Sequence, residues 1–219
     1  MKENKKRTEA ITLSAIMIAF AISISAICSA VPFLNLPFGG GFTIASMLPI
    51  IVVAYMYGTK WGLLTAFVYS FMQMLLGFNT VSSFFLPGDS QMIFHRAIIV
   101  CLIDYVVAYT VLGLGGVFRK KFGARKALCL GSIFAITLRY LAHIVSGAIF
   151  FGTWAEWFFT QEGFPAWGQA ILNSLSGDIL SLVYSIIYNG TYMIPEIIIT
   201  AIVACLVVRI PQIKMRDAA

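Results

Sequence analysis

The sequence predicts an all-α integral membrane protein: one bundle of six transmembrane helices with both termini in the cytoplasm. Three observations lead there. Of 219 residues, 60% are apolar and 11% charged, with a mean hydropathy of +0.90, whereas a soluble domain carries about 25% charged residues. Six apolar segments approach or exceed the roughly 20 residues that a helix needs to cross a hydrocarbon core. Finally, the basic residues fall on alternate connections between those segments, the asymmetry that sets orientation in a membrane. The length suits a single membrane domain over 1–219, with no room for a second, soluble one.

The first helix is expected over 10–31. Its basic leader, "MKENKKRTEA", could open a signal peptide, but the apolar run reaches Ala30 and exceeds the ~7–15 residues of an h-region, so the segment is retained. Segments 42–58 and 61–77 are short and separated only by "GTK". They fit as two tilted spans or as a tight helical hairpin, and five is the alternative count if that hairpin fails to cross. The fourth and fifth helices are expected over 92–117 and 127–152, and the sixth over 184–209. Between the last two lies a long external loop, 153–183, with three tryptophans and a short amphipathic run near 166–175. It reads either as interfacial aromatic anchoring or as a lid over an outward-facing pocket.

Orientation follows from charge. Every Lys and Arg except Arg96 and Arg139 lies in the N-terminal tail, in the connections at Lys60 and at 119–126, or in the C-terminal tail. The opposite loops, 32–41, 78–91 and 153–183, contain none, and they carry Asp89, Glu156, Glu162 and Asp178. The formal charge of +6 therefore marks a cytoplasmic membrane face rather than a nucleic-acid surface, and the location is the cell membrane. Cys28, Cys101, Cys129 and Cys205 lie within or beside apolar runs without zinc spacing or a disulfide framework, as small apolar fillers do. No metal and no cofactor is implied.

A few ionisable residues fall where hydrocarbon makes them costly, about 2.5–3.5 kcal/mol each on insertion scales. Asp104 lies some ten residues into the fourth helix, ~15 Å along its axis. Arg139 lies about twelve residues into the fifth from the inner side, again near mid-membrane, with His143 one turn further out on the same face. Asp104 and Arg139 read as a structural ion pair, as the polar wall of a ligand cavity, or as both. His95 and Arg96 sit at a helix end where they reach water, and Glu196 follows a proline that suits a packing kink. Soluble chemistry is absent: the sequence has no G-x-x-x-x-G-K-[ST], H-E-x-x-H or G-x-S-x-G, and Ser146 beside His143 has only a packing spacing. The chain is not expected to be an enzyme.

Four stretches, "RYLAHIVSGAIFFGTW", "YSIIYNG" at 184–190, "DY" at 104–105 and "GGGFTIASMLPIIVVAYMYGTKWGLL", give the chain a resemblance, over nearly its whole length, to the thiamine-specific S components of energy-coupling factor (ECF) vitamin transporters. The resemblance implies one pocket near the outer side of the membrane. In it Asp104 would accept from the aminopyrimidine and offset the thiazolium charge, and Tyr105 would add aromatic surface. His143 would contact the ligand, and Tyr184 and Asn189 would meet its pyrimidine end. Where a well-known family pattern has a stacking tryptophan, this chain has Phe151, with Trp154 three residues on. The residue chemistry is consistent with such a ligand, since a flat cationic heteroaromatic calls for an anion, π faces and a few donors and acceptors. Arg139, beneath His143, would steady Asp104. The implied partners are thiamine, membrane lipid, a transmembrane coupling subunit and two cytoplasmic ATPases, with no nucleic acid. Ala15 and Ala19, four apart on the first helix, have the small-residue spacing that lets helices approach closely; they would either pack inside the bundle or, as the resemblance implies, dock the coupling subunit. The rivals are an S component for another vitamin or for the precursor hydroxymethylpyrimidine, and a membrane protein whose ion pair is purely architectural.

Overall fold

The computed structural model describes residues 2–35, 41–162 and 164–216. Half of the expected external loop 32–41, including the first two glycines of "GGGFT", therefore lies outside the described residues, as do Gly163 in the loop 153–183 and the last three residues. Nine helices carry the described fold: α1 (Lys2–Ser29), α2 (Leu48–Tyr57), α3 (Thr59–Leu76), α4 (Phe78–Ser83), α5 (Phe94–Gly116), α6 (Ala124–Phe150), α7 (Ala155–Phe159), α8 (Trp167–Ser174) and α9 (Gly177–Val207). No β-strand forms among the described residues; one isolated bridge joins Asn35 and Gly41.

Four of these helices, α1, α5, α6 and α9, are long and apolar enough to cross a membrane. Their outward faces carry Ile16, Phe20, Leu141, Ile149, Ile198 and Ile202, all more than half exposed except Leu141, which is exposed to 50%. A continuous apolar exterior of this kind suits hydrocarbon, not water. α2 is the opposite case. Each of its ten residues is buried, and it packs against α1, α3, α6 and the C-terminal end of α5 as the central strut of the bundle.

Several boundaries differ from the sequence expectation, each for a local reason. α1 begins at Lys2 rather than near residue 10, because Lys, Glu and Arg are good helix formers and the helix does not stop where the hydrocarbon does. α2 begins only at Leu48, with Pro49 in its first turn, where a proline's missing N–H costs nothing. α9 begins at Gly177, seven residues early, with Asp178 in the first turn beside the positive end of the helix dipole. The loop 153–183 thus holds two short helices and the first turns of a third.

Side chains tie the bundle together at both ends. On α1, Ala10, Ser14, Ala21 and Cys28 turn inward. Ser14 accepts from Trp61 Nε1 (2.9 Å) and Thr65 Oγ1 (3.2 Å) of α3, and Ser25 accepts from Gln73 (3.1 Å). Ala15 and Ala19 lie on the exposed face, so they do not pack inside the bundle. At the other end of α2, Gly58 takes φ +93°, a conformation open to glycine, and turns the chain into α3. Arg119 donates from Nη2 to the carbonyls of Met56 (2.7 Å) and Arg216 (2.9 Å), and the Arg216 amide also reaches Met56 O (2.7 Å). The α2–α3 turn, the α5–α6 connection and the C-terminal segment therefore meet at one end of the molecule.

Candidate functional site

α5 and α6 run antiparallel, and their register decides which polar groups meet. Midway along α5 the backbone widens into a π-helical turn over Leu102–Val107, an irregularity frequent at functional sites. Asp104 sits in that turn. Its Oδ1 lies 3.0 Å from His143 Nδ1, and its Oδ2 accepts from Ser146 Oγ at 2.9 Å. His143 and Ser146 are three apart on α6 and share a face, so together they hold both oxygens of one carboxylate.

The expected ion pair between Asp104 and Arg139 does not form. Among the described residues, the one acid–base pair in contact is Asp104 with His143. The antiparallel register explains the difference: Arg139, one turn below His143, comes opposite Tyr109, while His143 comes opposite Asp104. The guanidinium lies over the Tyr109 ring, 4.3 Å from its centroid. It donates to Tyr109 Oη and to Met47 Sδ, each at 3.0 Å. Tyr109 is held in turn edge-on by Tyr69 (5.5 Å) and stacks with Tyr105 (6.4 Å).

α9 completes the arrangement. Gly147 of α6 allows its approach: a Cβ there would come within 2.2 Å of Ser185 Oγ. Ser185 donates to the Ile144 carbonyl (2.8 Å). Asn189 donates to Ser185 O (2.8 Å) and, more weakly, to His143 O (3.3 Å), and its Oδ1 accepts from Tyr192. Asn189 is thereby fixed against α6.

These groups surround a cavity of about 480 Å³. Asp104, Tyr105, His143, Phe151, Trp154, Tyr184 and Asn189 all line it, and so does Arg139. Phe151 packs against Phe84 (5.9 Å) and Trp154 edge-on against Trp157 (5.5 Å). Trp157 also faces the cavity, so the first part of the loop 153–183 forms part of its wall. Behind it Phe158 packs edge-on against Phe159, Phe164, Tyr184 and Tyr188. Two polar atoms of wall residues, His143 Nε2 and Arg139 Nε, are buried and make no hydrogen bond. A volume of this size, mostly aromatic with a few fixed polar groups, has the character of a small-molecule site.

A second chamber of about 340 Å³ adjoins the first and shares Gly41, Tyr105, Tyr109, Arg139 and Tyr192 with it. Its wall holds Glu196, which is 3% exposed and accepts from the Thr43 amide (2.6 Å) and Thr43 Oγ1 (2.9 Å). The carboxylate after the proline thus clamps the segment leading into α2. Sequence reasoning missed several lining residues: Tyr109, Tyr188, Tyr192 and the polar rim of Thr80, Ser83 and Ser90. The tyrosines carried a signal, since 105 and 109, and 184, 188 and 192, recur every fourth residue on one helix face. The rim carried none.

Comparisons with known proteins agree. The sequence profile of the family described as Thiamine transporter protein (Thia_YuaJ) matches residues 15–215. The thiamine transporter ThiT of Bacillus subtilis (strain 168) is 31% identical over 234 residues, covering 100% of both chains. The solved structure of ThiT from Listeria monocytogenes shares the fold, with a TM-score of 0.64 at 19% identity over 96% of this chain and 100% of that one.

The geometry predicts how Arg139 is stabilised. Tyr109→Phe keeps the ring under the guanidinium and removes one acceptor, and should cost about 1 kcal/mol. Tyr109→Leu removes both ring and acceptor and should cost distinctly more, since it strands a buried charge. Thermal unfolding in detergent, followed by tryptophan fluorescence, checks the order; equal Tm values for both variants and the native protein would contradict it.

Proposed function

The chain belongs to the thiamine transporter protein family, a family of membrane transporters rather than enzymes, and from that premise we propose that it is the thiamine-capturing S component of an ECF-type importer. In this proposal it takes thiamine from outside into the 480 Å³ cavity. It then delivers the vitamin inward together with a separate transmembrane coupling subunit and two cytoplasmic ATPases.

The observation that carries the proposal is the Asp104 carboxylate, held at both oxygens by His143 and Ser146 on the wall of an otherwise aromatic cavity. Arg139, the nearby formal positive charge on that wall, is already committed to Tyr109 and Met47. In this proposal the Asp104 carboxylate, to which that guanidinium is not bonded, is the negative charge that meets a monocation such as a thiazolium ring. Tyr105, Phe151, Trp154 and Tyr184 supply π faces, which favour a flat cation. An ionised carboxylate only accepts, so the His143 ring carries its proton on Nδ1 and presents Nε2 as an acceptor. The exocyclic amine of an aminopyrimidine is a donor suited to that atom, with Asn189 and Tyr184 beside it. A precursor lacking the cationic ring would gain little from Asp104.

The proposed topology is six crossings with both termini cytoplasmic. The meeting of the α2–α3 turn, the basic α5–α6 connection and the C-terminal segment at Arg119 supports it. α2 alone covers only ~15 Å, half of a bilayer core. The remainder of that crossing would be the non-helical stretch ahead of it, which is tolerated at depth where protein satisfies its backbone; the Thr43–Glu196 contact does this. The exposure of Ala15 and Ala19 on α1 supports their assignment to the coupling-subunit interface.

Three outcomes follow. With single cysteines in a cysteine-free background, an impermeant thiol reagent on intact cells should label position 160 and not 121; the reverse would invert the topology. Asp104→Asn should weaken thiamine binding at least about tenfold in the folded protein, the worth of a charge-assisted contact, and unchanged affinity by fluorescence titration would remove this carboxylate from the site. Ala19→Trp should leave thiamine binding by the purified protein near normal and abolish uptake in cells expressing the ATPase module. Normal uptake by that variant would mean that the stripe faces lipid.

A further inference from the structure

Serines inside these helices mostly donate back to a carbonyl one turn earlier: Ser23 to Ala19, Ser132 to Leu128 and Ser181 to Gly177. That is the easiest bond for a helical serine, because the acceptor is local and always present. Ser146 behaves differently. It is fully buried, and its hydroxyl crosses to α5 and donates to Asp104 Oδ2 at 2.9 Å. We infer that Ser146 is a positioning residue of the ligand site, fixing the plane in which Asp104 presents its charge.

The physics is a matter of degrees of freedom. An aspartate carboxylate held at one oxygen pivots about that bond and about its own terminal torsion, which has a broad, shallow profile. His143 supplies the first hold, at Oδ1. Ser146 supplies the second, at Oδ2, from a position one turn further along α6. With both in place the carboxylate plane is fixed, while the His143 ring keeps its own hold on Oδ1 whether or not Ser146 is present. The site also lies in a π-helical turn, an irregularity frequent at functional sites. Preorganised charge is worth more than mobile charge, because it need not be ordered when the ligand arrives.

This inference rests on Asp104 being the counter-charge of a cationic ligand, and the test separates the two. Purified native protein, Ser146→Ala, Asp104→Asn and the double variant are titrated with thiamine and with its neutral thiophene isostere, read by intrinsic fluorescence. Ser146→Ala removes one oxygen and keeps a residue of higher helix propensity, so the fold is retained. It should weaken thiamine binding by about five- to tenfold, less than the full worth of a bond to a charged group because His143 still holds Oδ1, and leave the neutral isostere within about twofold. In the Asp104→Asn background the same change should cost thiamine less than about twofold, the signature of two residues acting as one unit. An equal loss for both ligands, or an undiminished loss in the Asp104→Asn background, would make Ser146 a packing residue and overturn the inference. Native-like binding by Ser146→Ala, with Asp104→Asn impaired, would overturn it alone. Native-like binding by Asp104→Asn would overturn the counter-charge and the inference together.

Discussion

Hydrocarbon supplies no hydrogen bonds, so every polar group carried into it must be met by another group of the same protein. That constraint organises the centre of this molecule. α5 and α6 each bring costly side chains into the bundle, and their antiparallel register sorts them into two levels: Asp104 with His143 and Ser146, then Tyr109 with Arg139. α9 closes the third side, where Asn189 is fixed between Ser185 and Tyr192. The groups left over, chiefly one carboxylate charge and one imidazole nitrogen, face an aromatic cavity.

The same constraint explains why the scaffold around the site is so plain. α2 is buried on every side and holds no Asp, Glu, His, Lys or Arg, so it serves as a strut against which the functional helices are set. The outer faces of α1, α5, α6 and α9 are mainly apolar, as lipid contact requires. Specific geometry is confined to a few places: the π-helical turn at Asp104, the close approach at Gly147, and the clamp of Glu196 on Thr43.

Much of this was legible in the sequence, and the misses have physical causes. Hydropathy gave the helical membrane class because transfer free energy is a sum over residues and needs no partners. It gave helix ends poorly, since Lys2–Glu9 continue α1 by helix propensity beyond any apolar limit, and Gly177–Val183 begin α9 early with Asp178 at the positive end of its dipole. Counting residues gave the depth of Asp104 and Arg139 but not the register between their helices. Two groups at similar depth were therefore expected to pair, although each meets a different neighbour. The candidate site residues Asp104, Tyr105, His143, Phe151, Trp154, Tyr184 and Asn189 come to one cavity. Tyr109, Tyr188 and Tyr192 stood in view as four-residue repeats, yet aromatics in membrane helices usually mean packing. Thr80, Ser83 and Ser90 reach the rim from a connection whose fold is set by tertiary contacts, and no local pattern marks them.

The central claim is that a fixed carboxylate in an aromatic cavity selects a flat cation. Its most direct test is a titration of the purified native protein with thiamine and, separately, with hydroxymethylpyrimidine, followed by the quenching of its tryptophans. The account predicts saturable binding of thiamine to one site per chain, with the pyrimidine alone binding at least about tenfold more weakly, as loss of a charge-assisted contact requires. Equal affinity for the two compounds, or no response to thiamine, would contradict it.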